Sequence, residues 1–156
     1  MLLTPSRAFF IFKRFFAWAV LFPSALFFAP KPLHAQTAPL TVNISSVKSD
    51  KGKMMFALFH KADGFPGTHQ KAFQLKETKT VKGTTTVTFE NLPAGTYALA
   101  VFHDENNDGK LNTNVVGIPR EPYGFSNNAR SAFSAPSFKD ASFRHDKTQT
   151  ISITIK

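Results

Sequence analysis

The chain has 156 residues, room for one ordinary domain once a targeting segment is set aside. It contains no cysteine, which excludes thiol catalysis, Cys-based zinc sites and disulfide staples, and suits an oxidising compartment because nothing can mispair there. Its formal charge of +9 does not point to nucleic acid, since the cations form no stripe of the kind that replaces counterions on phosphate.

Four of those cations, Arg7, Lys13, Arg14 and Lys31, lie before residue 36, where there is no acidic residue. The remainder carries 15 basic against 10 acidic side chains, or +5. Lys48, Lys51, Lys53, Lys61, Lys71, Lys76, Lys79 and Lys82 are interleaved with Thr, Phe and Gly. No nucleic-acid partner is expected.

The first 35 residues read as a signal peptide. Arg7, Lys13 and Arg14 form a positive region, followed by an apolar stretch over residues 15–28 interrupted by Pro23 and Ser24. A membrane-spanning helix needs about 20 apolar residues, and this stretch is shorter and ends in a Pro-rich break. Cleavage is placed after Ala35, with Ala29 as the alternative. The expected organisation is therefore a leader over 1–35 and one domain over 36–156. Export to the periplasm or beyond follows, with membrane contact during export alone.

From Leu40 onward the hydrophobic period is two rather than 3.6. Leu40, Val42 and Ile44 alternate with Thr41, Asn43 and Ser45. Residues 54–60 form a second apolar run, ended by the loop signal Asp63-Gly64-Phe65-Pro66-Gly67. Lys71, Phe73 and Leu75 suggest a third segment. The β-branched stretch 84–89 leads into the turn Asn91-Leu92-Pro93-Ala94-Gly95. Tyr97, Leu99, Val101 and His103 then alternate with Ala98, Ala100, Phe102 and Asp104, so both faces are largely apolar or small, as in a central strand. Residues 138–145 and the alternation Ile151, Ile153, Ile155 complete the set. About seven short strands predict an all-β fold, a single antiparallel β-sandwich of immunoglobulin-like or prealbumin-like type.

Two stretches carry a family resemblance. Phe89-Glu90-Asn91-Leu92-Pro93-Ala94-Gly95-Thr96-Tyr97 resembles the F-x-x-L-P-x-G-x-Y signature of transthyretin-like and carboxypeptidase-regulatory-like sandwiches. The blocks Asp104-Glu105-Asn106-Asn107-Asp108-Gly109-Lys110-Leu111 and Gly117-Ile118-Pro119-Arg120-Glu121-Pro122-Tyr123-Gly124-Phe125-Ser126-Asn127-Asn128 resemble an exported bacterial family classified as a domain of unknown function. The resemblance covers the whole mature domain and implies export and a sandwich. Asn112 departs from it, standing where that family more often carries Asp.

Asp104, Asn106 and Asp108 followed by Gly109 open like a D-x-N-x-D-G calcium loop. The Lys110 carbonyl and Asn112 would follow in order, but Val115 stands where an EF-hand has its bidentate Glu. A missing carboxylate would have to come from Glu105, Glu121 or Asp140. Calcium is thus the candidate cofactor. The competing reading is a plain turn, in which Asx side chains bond their own backbone.

No catalytic constellation stands out. His103 and Asp104 are adjacent on a strand and point to opposite faces, and no G-x-S-x-G elbow accompanies Ser126. His60, His69, His103 and His145 lack the close pairing of a zinc site. The long irregular stretch 117–136 is the candidate ligand surface. Arg120, Tyr123, Phe125, Ser126, Asn127 and Asn128 there would suit stacking and hydrogen bonding to a protein, peptide or glycan of the cell envelope. The leading expectation is an exported non-catalytic binding or accessory domain, with calcium as its candidate brace. The alternatives are a small metal-dependent or hydrolytic enzyme working through His103, Asp104 and Glu121, and a structural envelope component.

Overall fold

The computed structural model describes residues 36–156; the leader expected over 1–35 lies outside the described residues. Eight strands follow in chain order: β1 (Thr37–Val47), β2 (Lys53–Phe59), β3 (Gln74–Lys79), β4 (Gly83–Pro93), β5 (Gly95–Asp104), β6 (Tyr123–Phe125), β7 (Phe143–His145) and β8 (Gln149–Thr154). They form a three-stranded sheet in the order β4-β1-β8 and a five-stranded sheet in the order β3-β2-β5-β6, with β7 also paired to β5. The fold is the expected all-β sandwich.

Alternation builds its core. Leu40, Val42 and Ile44 of β1 point inward with Phe89 and Leu92 of β4 and Ile153 of β8. They meet Met54, Phe56 and Leu58 of β2 and Tyr97, Leu99 and Val101 of β5. Tyr97 is fully buried, and its hydroxyl donates to the Pro93 carbonyl at 2.9 Å. Burial raises the phenol's pKa above its ordinary value.

Three local expectations change. β8 runs parallel to β1, because β7 pairs with β5 in the opposite sheet and the chain therefore enters beside β1 by crossing between layers, not by a hairpin. Residues 138–145 are not one strand: a short helix, α1 (Phe138–Ala141), precedes β7. Ser137 caps it by accepting from Asp140 N–H while the Asp140 carboxylate reaches back to the Ser137 backbone, a reciprocal pair that ends extended structure. The stretch 117–136 is not wholly irregular either, since β6 within it pairs antiparallel with β5.

β5 is apolar on its outer face as well, and half of that face is roofed. Ala98, Phe125 and Ala141 are buried there, with Phe65, Tyr123 and Phe138 packed against them. Phe65 is the hub, meeting Phe59, Phe125 and Phe138 edge-on at centroid distances of 5.4, 6.0 and 5.8 Å. Gly124 faces the other way, into the core. A Cβ there would lie 2.8 Å from Ile153 Cγ2 and 3.2 Å from the Thr154 carbonyl oxygen. Gly124→Ala is therefore expected to overpack the interface of β6 with β8 at a cost of about 1–3 kcal/mol. Thermal melting followed by circular dichroism should show a midpoint several degrees lower; an unchanged midpoint would contradict the close approach.

Candidate functional site

The turn after β5 is held from its own side chains. Asp104 is fully buried, and its two carboxylate oxygens accept the Asp108 and Gly109 N–H groups at 3.1 and 2.9 Å. Asp108 accepts the Lys110 N–H at 2.9 Å and the Asn106 and Asn112 amides at 3.1 and 2.9 Å. The Asn106 amide nitrogen also donates to Asn112 Oδ1 at 3.0 Å. Glu121 closes the base: Oε1 accepts Glu105 N–H at 3.1 Å and Oε2 accepts Asn112 N–H at 2.8 Å. Glu121 does not pair with Arg120, which is exposed. The sequence thus places Asp104, Asn106, Asp108, Asn112 and Glu121 together, each oxygen already accepting a donor. Among the described residues there is no group of three or more His, Cys, Asp or Glu side chains arranged to hold a metal ion.

His103 is buried beside this turn, with Nε2–H donating to the Lys51 carbonyl at 2.8 Å. Its Nδ1 has no hydrogen-bond partner and sits 3.7 Å from Glu105 Oε1. His103, Asp104 and Glu121 all lie below the surface, outside the cleft over the five-stranded sheet.

The candidate ligand residues divide. Ser126 is fully buried, accepting from Leu99 N–H at 2.9 Å and donating to the Ala141 carbonyl, so it ties β5 to α1. Asn127 and Asn128 both hold left-handed backbone, φ 58° and 50°, which Asn tolerates better than most residues. Asn127 donates to the Asp140 and Ser142 carbonyls, and Asn128 Oδ1 accepts from Thr154 N–H at 2.8 Å. These three side chains hold the segment in place. Tyr123 and Phe125 do line the principal cleft, and Arg130 lies over the Tyr123 ring at 5.8 Å.

That cleft, of about 950 Å³, occupies the unroofed half of the outer face. Its floor follows from register. One row across the sheet is Leu75, Ala57, Ala100, Phe125, and the next is Glu77, Met55, Phe102, Tyr123. Two alanines side by side between larger neighbours leave a trough. Residues 109–111 and 116–119 form one wall and residues 131–135 the other. Val116, Ile118 and Phe133 on those walls are 73%, 60% and 101% exposed. Sequence reasoning missed the floor, although its signal was present: β2 is apolar at successive positions 54–59, more than one buried face requires.

The Asp108 carboxyl titrates below its ordinary 3.8, chiefly through the Asn112 amide, with the Lys110 N–H next. A carboxylate depressed in the folded state stabilises above its unfolded pKa, and that contribution is lost as pH falls through the lower, folded value. Backbone amide hydrogen exchange at Lys110, whose N–H is held by Asp108, is therefore expected to speed up as pH falls below the ordinary 3.8, beyond the intrinsic pH trend. In Asp108→Asn that acid-specific step should disappear; its persistence would refute the assignment.

The chain was also compared with known proteins. The family model described as "Uncharacterized protein conserved in bacteria (DUF2141)" matches residues 42–152, a span that holds the whole turn, β6 and most of both sheets. No curated protein and no solved structure matches the chain. The match covers well over half of the chain, and the protein belongs to this uncharacterised bacterial family.

Proposed function

We propose that the protein is an exported, non-catalytic binding domain that holds an apolar ligand against the outer face of its five-stranded sheet. The observation that carries the reading is the open trough over Ala57 and Ala100, bounded by exposed apolar walls. Its volume lies near the top of the ~300–1,000 Å³ range of small-molecule sites. The floor is largely covered, Ala57 and Phe102 being buried, and the apolar surface left in water lies on the walls and at Leu75. Covering Val116, Ile118 and Phe133 would contribute roughly 1.5–3 kcal/mol each, which offsets much of the ~4–15 kcal/mol that association costs in lost freedom. Export is supported by the charged and apolar pattern of the first 35 residues.

Protein purified from cells expressing the full chain is expected to bind the neutral apolar dye Nile red, read as a rise in its fluorescence. Ala100→Phe fills the trough and should weaken binding by tenfold or more. Val116→Ser with Ile118→Ser, both at exposed positions, should weaken it severalfold with no change in melting. Affinity untouched by either variant would sink the reading.

A second reading, that calcium braces the turn, is favoured by one arrangement. The Asn106 amide NH2 sits between Asp108 Oδ2 and Asn112 Oδ1, a position of negative potential where a hard cation would find oxygen ligands. Calcium at about 100 times its dissociation constant stabilises by about 2.7 kcal/mol. The melting midpoint is then expected to be several degrees higher in millimolar calcium than in chelator. Identical midpoints would leave the turn self-braced.

A further inference from the structure

We infer that residues 131–135 are a lid, which stands open in the free protein and brings Phe133 down over a ligand seated in the cleft. This rests on the binding-domain reading and adds to it how the ligand is kept. The two walls of the cleft are built differently. The wall at 116–119 is braced from within, since Asn114 Oδ1 accepts the Val116 and Ile118 N–H groups. Asn114 N–H donates to the Ile118 carbonyl, and Arg120 N–H to the Asn112 carbonyl, both at 2.8 Å. The wall at 131–135 has no such bonds. Among the described residues, none of its backbone N–H groups or carbonyls bonds to the rest of the domain. Its hydrogen bonds are internal, Ser131 Oγ with Ser134 Oγ and Ser134 Oγ to the neighbouring Ala135 carbonyl. All five residues are exposed.

The ends of this segment, by contrast, are fixed. On one side Asn128 Oδ1 accepts from Thr154 N–H at 2.8 Å, and the Arg130 guanidinium donates to the Thr154 carbonyl at 3.1 Å. On the other side Pro136 is buried and Ser137 caps α1. A short span held at both ends and free between them opens and closes about those ends. Phe133 stands at its centre, borders the cleft, and keeps its ring in water. Magnitudes decide which position it takes. Burying one Phe favours closure by about tenfold or more, but ordering five loop residues opposes closure by more than that. A trough of about 950 Å³ is far larger than one ring, so closure on an empty cleft leaves most of it unfilled. A bound apolar molecule supplies the missing contact surface. The ligand enters past an open flap and leaves only after Phe133 lifts, so the lid acts on release more than on entry.

The test is hydrogen exchange of the 131–135 amides with and without saturating Nile red, on protein from cells expressing the full chain, together with the dye's dissociation rate. In the free protein these amides are expected to exchange at close to the rate of unstructured chain, while the Val116 and Ile118 N–H groups are protected in both states. The dye should slow exchange at 131–135 by about tenfold or more. Phe133→Ala should speed dye release about tenfold, leave the association rate unchanged, and abolish the protection even at dye saturation. Phe133→Leu should restore most of both effects. Dye that binds, is blocked by Ala100→Phe, and yet leaves exchange at 131–135 unchanged would overturn the lid and leave the cleft reading standing. Amides at 131–135 already protected in the free protein would overturn it too, making this wall as fixed as the other. Dye binding that Ala100→Phe does not touch would remove the cleft reading itself, and the lid with it.

Discussion

The structure depends on one constraint: β5 is apolar on both faces and must be covered on both. The inner face, with Tyr97, Leu99 and Val101, is met by the three-stranded sheet. The outer face, with Ala98, Ala100 and Phe102, has no second sheet to meet. It is covered by whatever the connections can bring, namely Phe65 from the loop after β2, Phe125 from β6 and Phe138 from α1. Those side chains pack over Ala98 and reach Ala100. Beyond them lies the cleft.

This explains why so many polar groups in the long connection after β5 are spent on holding the chain in place. A roof made of loops lacks the repeating hydrogen bonds of a sheet, so each backbone group in it needs an individual partner. Ser126 supplies one to Leu99, Asn127 supplies one each to Asp140 and Ser142, and Asn128 supplies one to Thr154. A stretch rich in Ser and Asn thus resembles a recognition surface in sequence while serving as the fastening of the roof.

The sandwich was legible because period-two alternation is a local signal, and β1, β2 and β5 stand where it puts them. The parallel pairing of β8 was not, because strand direction depends on which sheet the preceding segment joins. The helix at Phe138–Ala141 was announced by Ser137 and Asp140, three residues apart, yet the aromatic residues around it read equally well as strand. For the site, the grouping of Asp104, Asn106 and Asp108 followed from their spacing alone. The role of Glu121, which joins Glu105 to Asn112 across the base of the turn, did not, since its partners lie 16 and 9 residues away in sequence. Ser126 could not have been read as buried from its neighbours, because its partners Leu99 and Ala141 are 27 and 15 residues distant.

The turn and the cleft are parts of one device. The segment between Asp104 and Glu121 leaves the end of β5 and returns to β6, and its two ends are stapled by the same Glu121 carboxylate. Between the staples the chain rises as a wall, with Asn114 Oδ1 accepting the Val116 and Ile118 N–H groups at 3.0 and 2.9 Å. Those bonds fix the backbone of the two residues whose side chains are apolar and exposed. A wall of this kind, polar at its base and greasy at its tip, gains nothing from standing in water. At its base the buried Asp104 and Glu121 carboxylates are fully engaged by backbone N–H groups. The oxygen-rich turn therefore fixes where the wall leaves β5 and where it returns to β6.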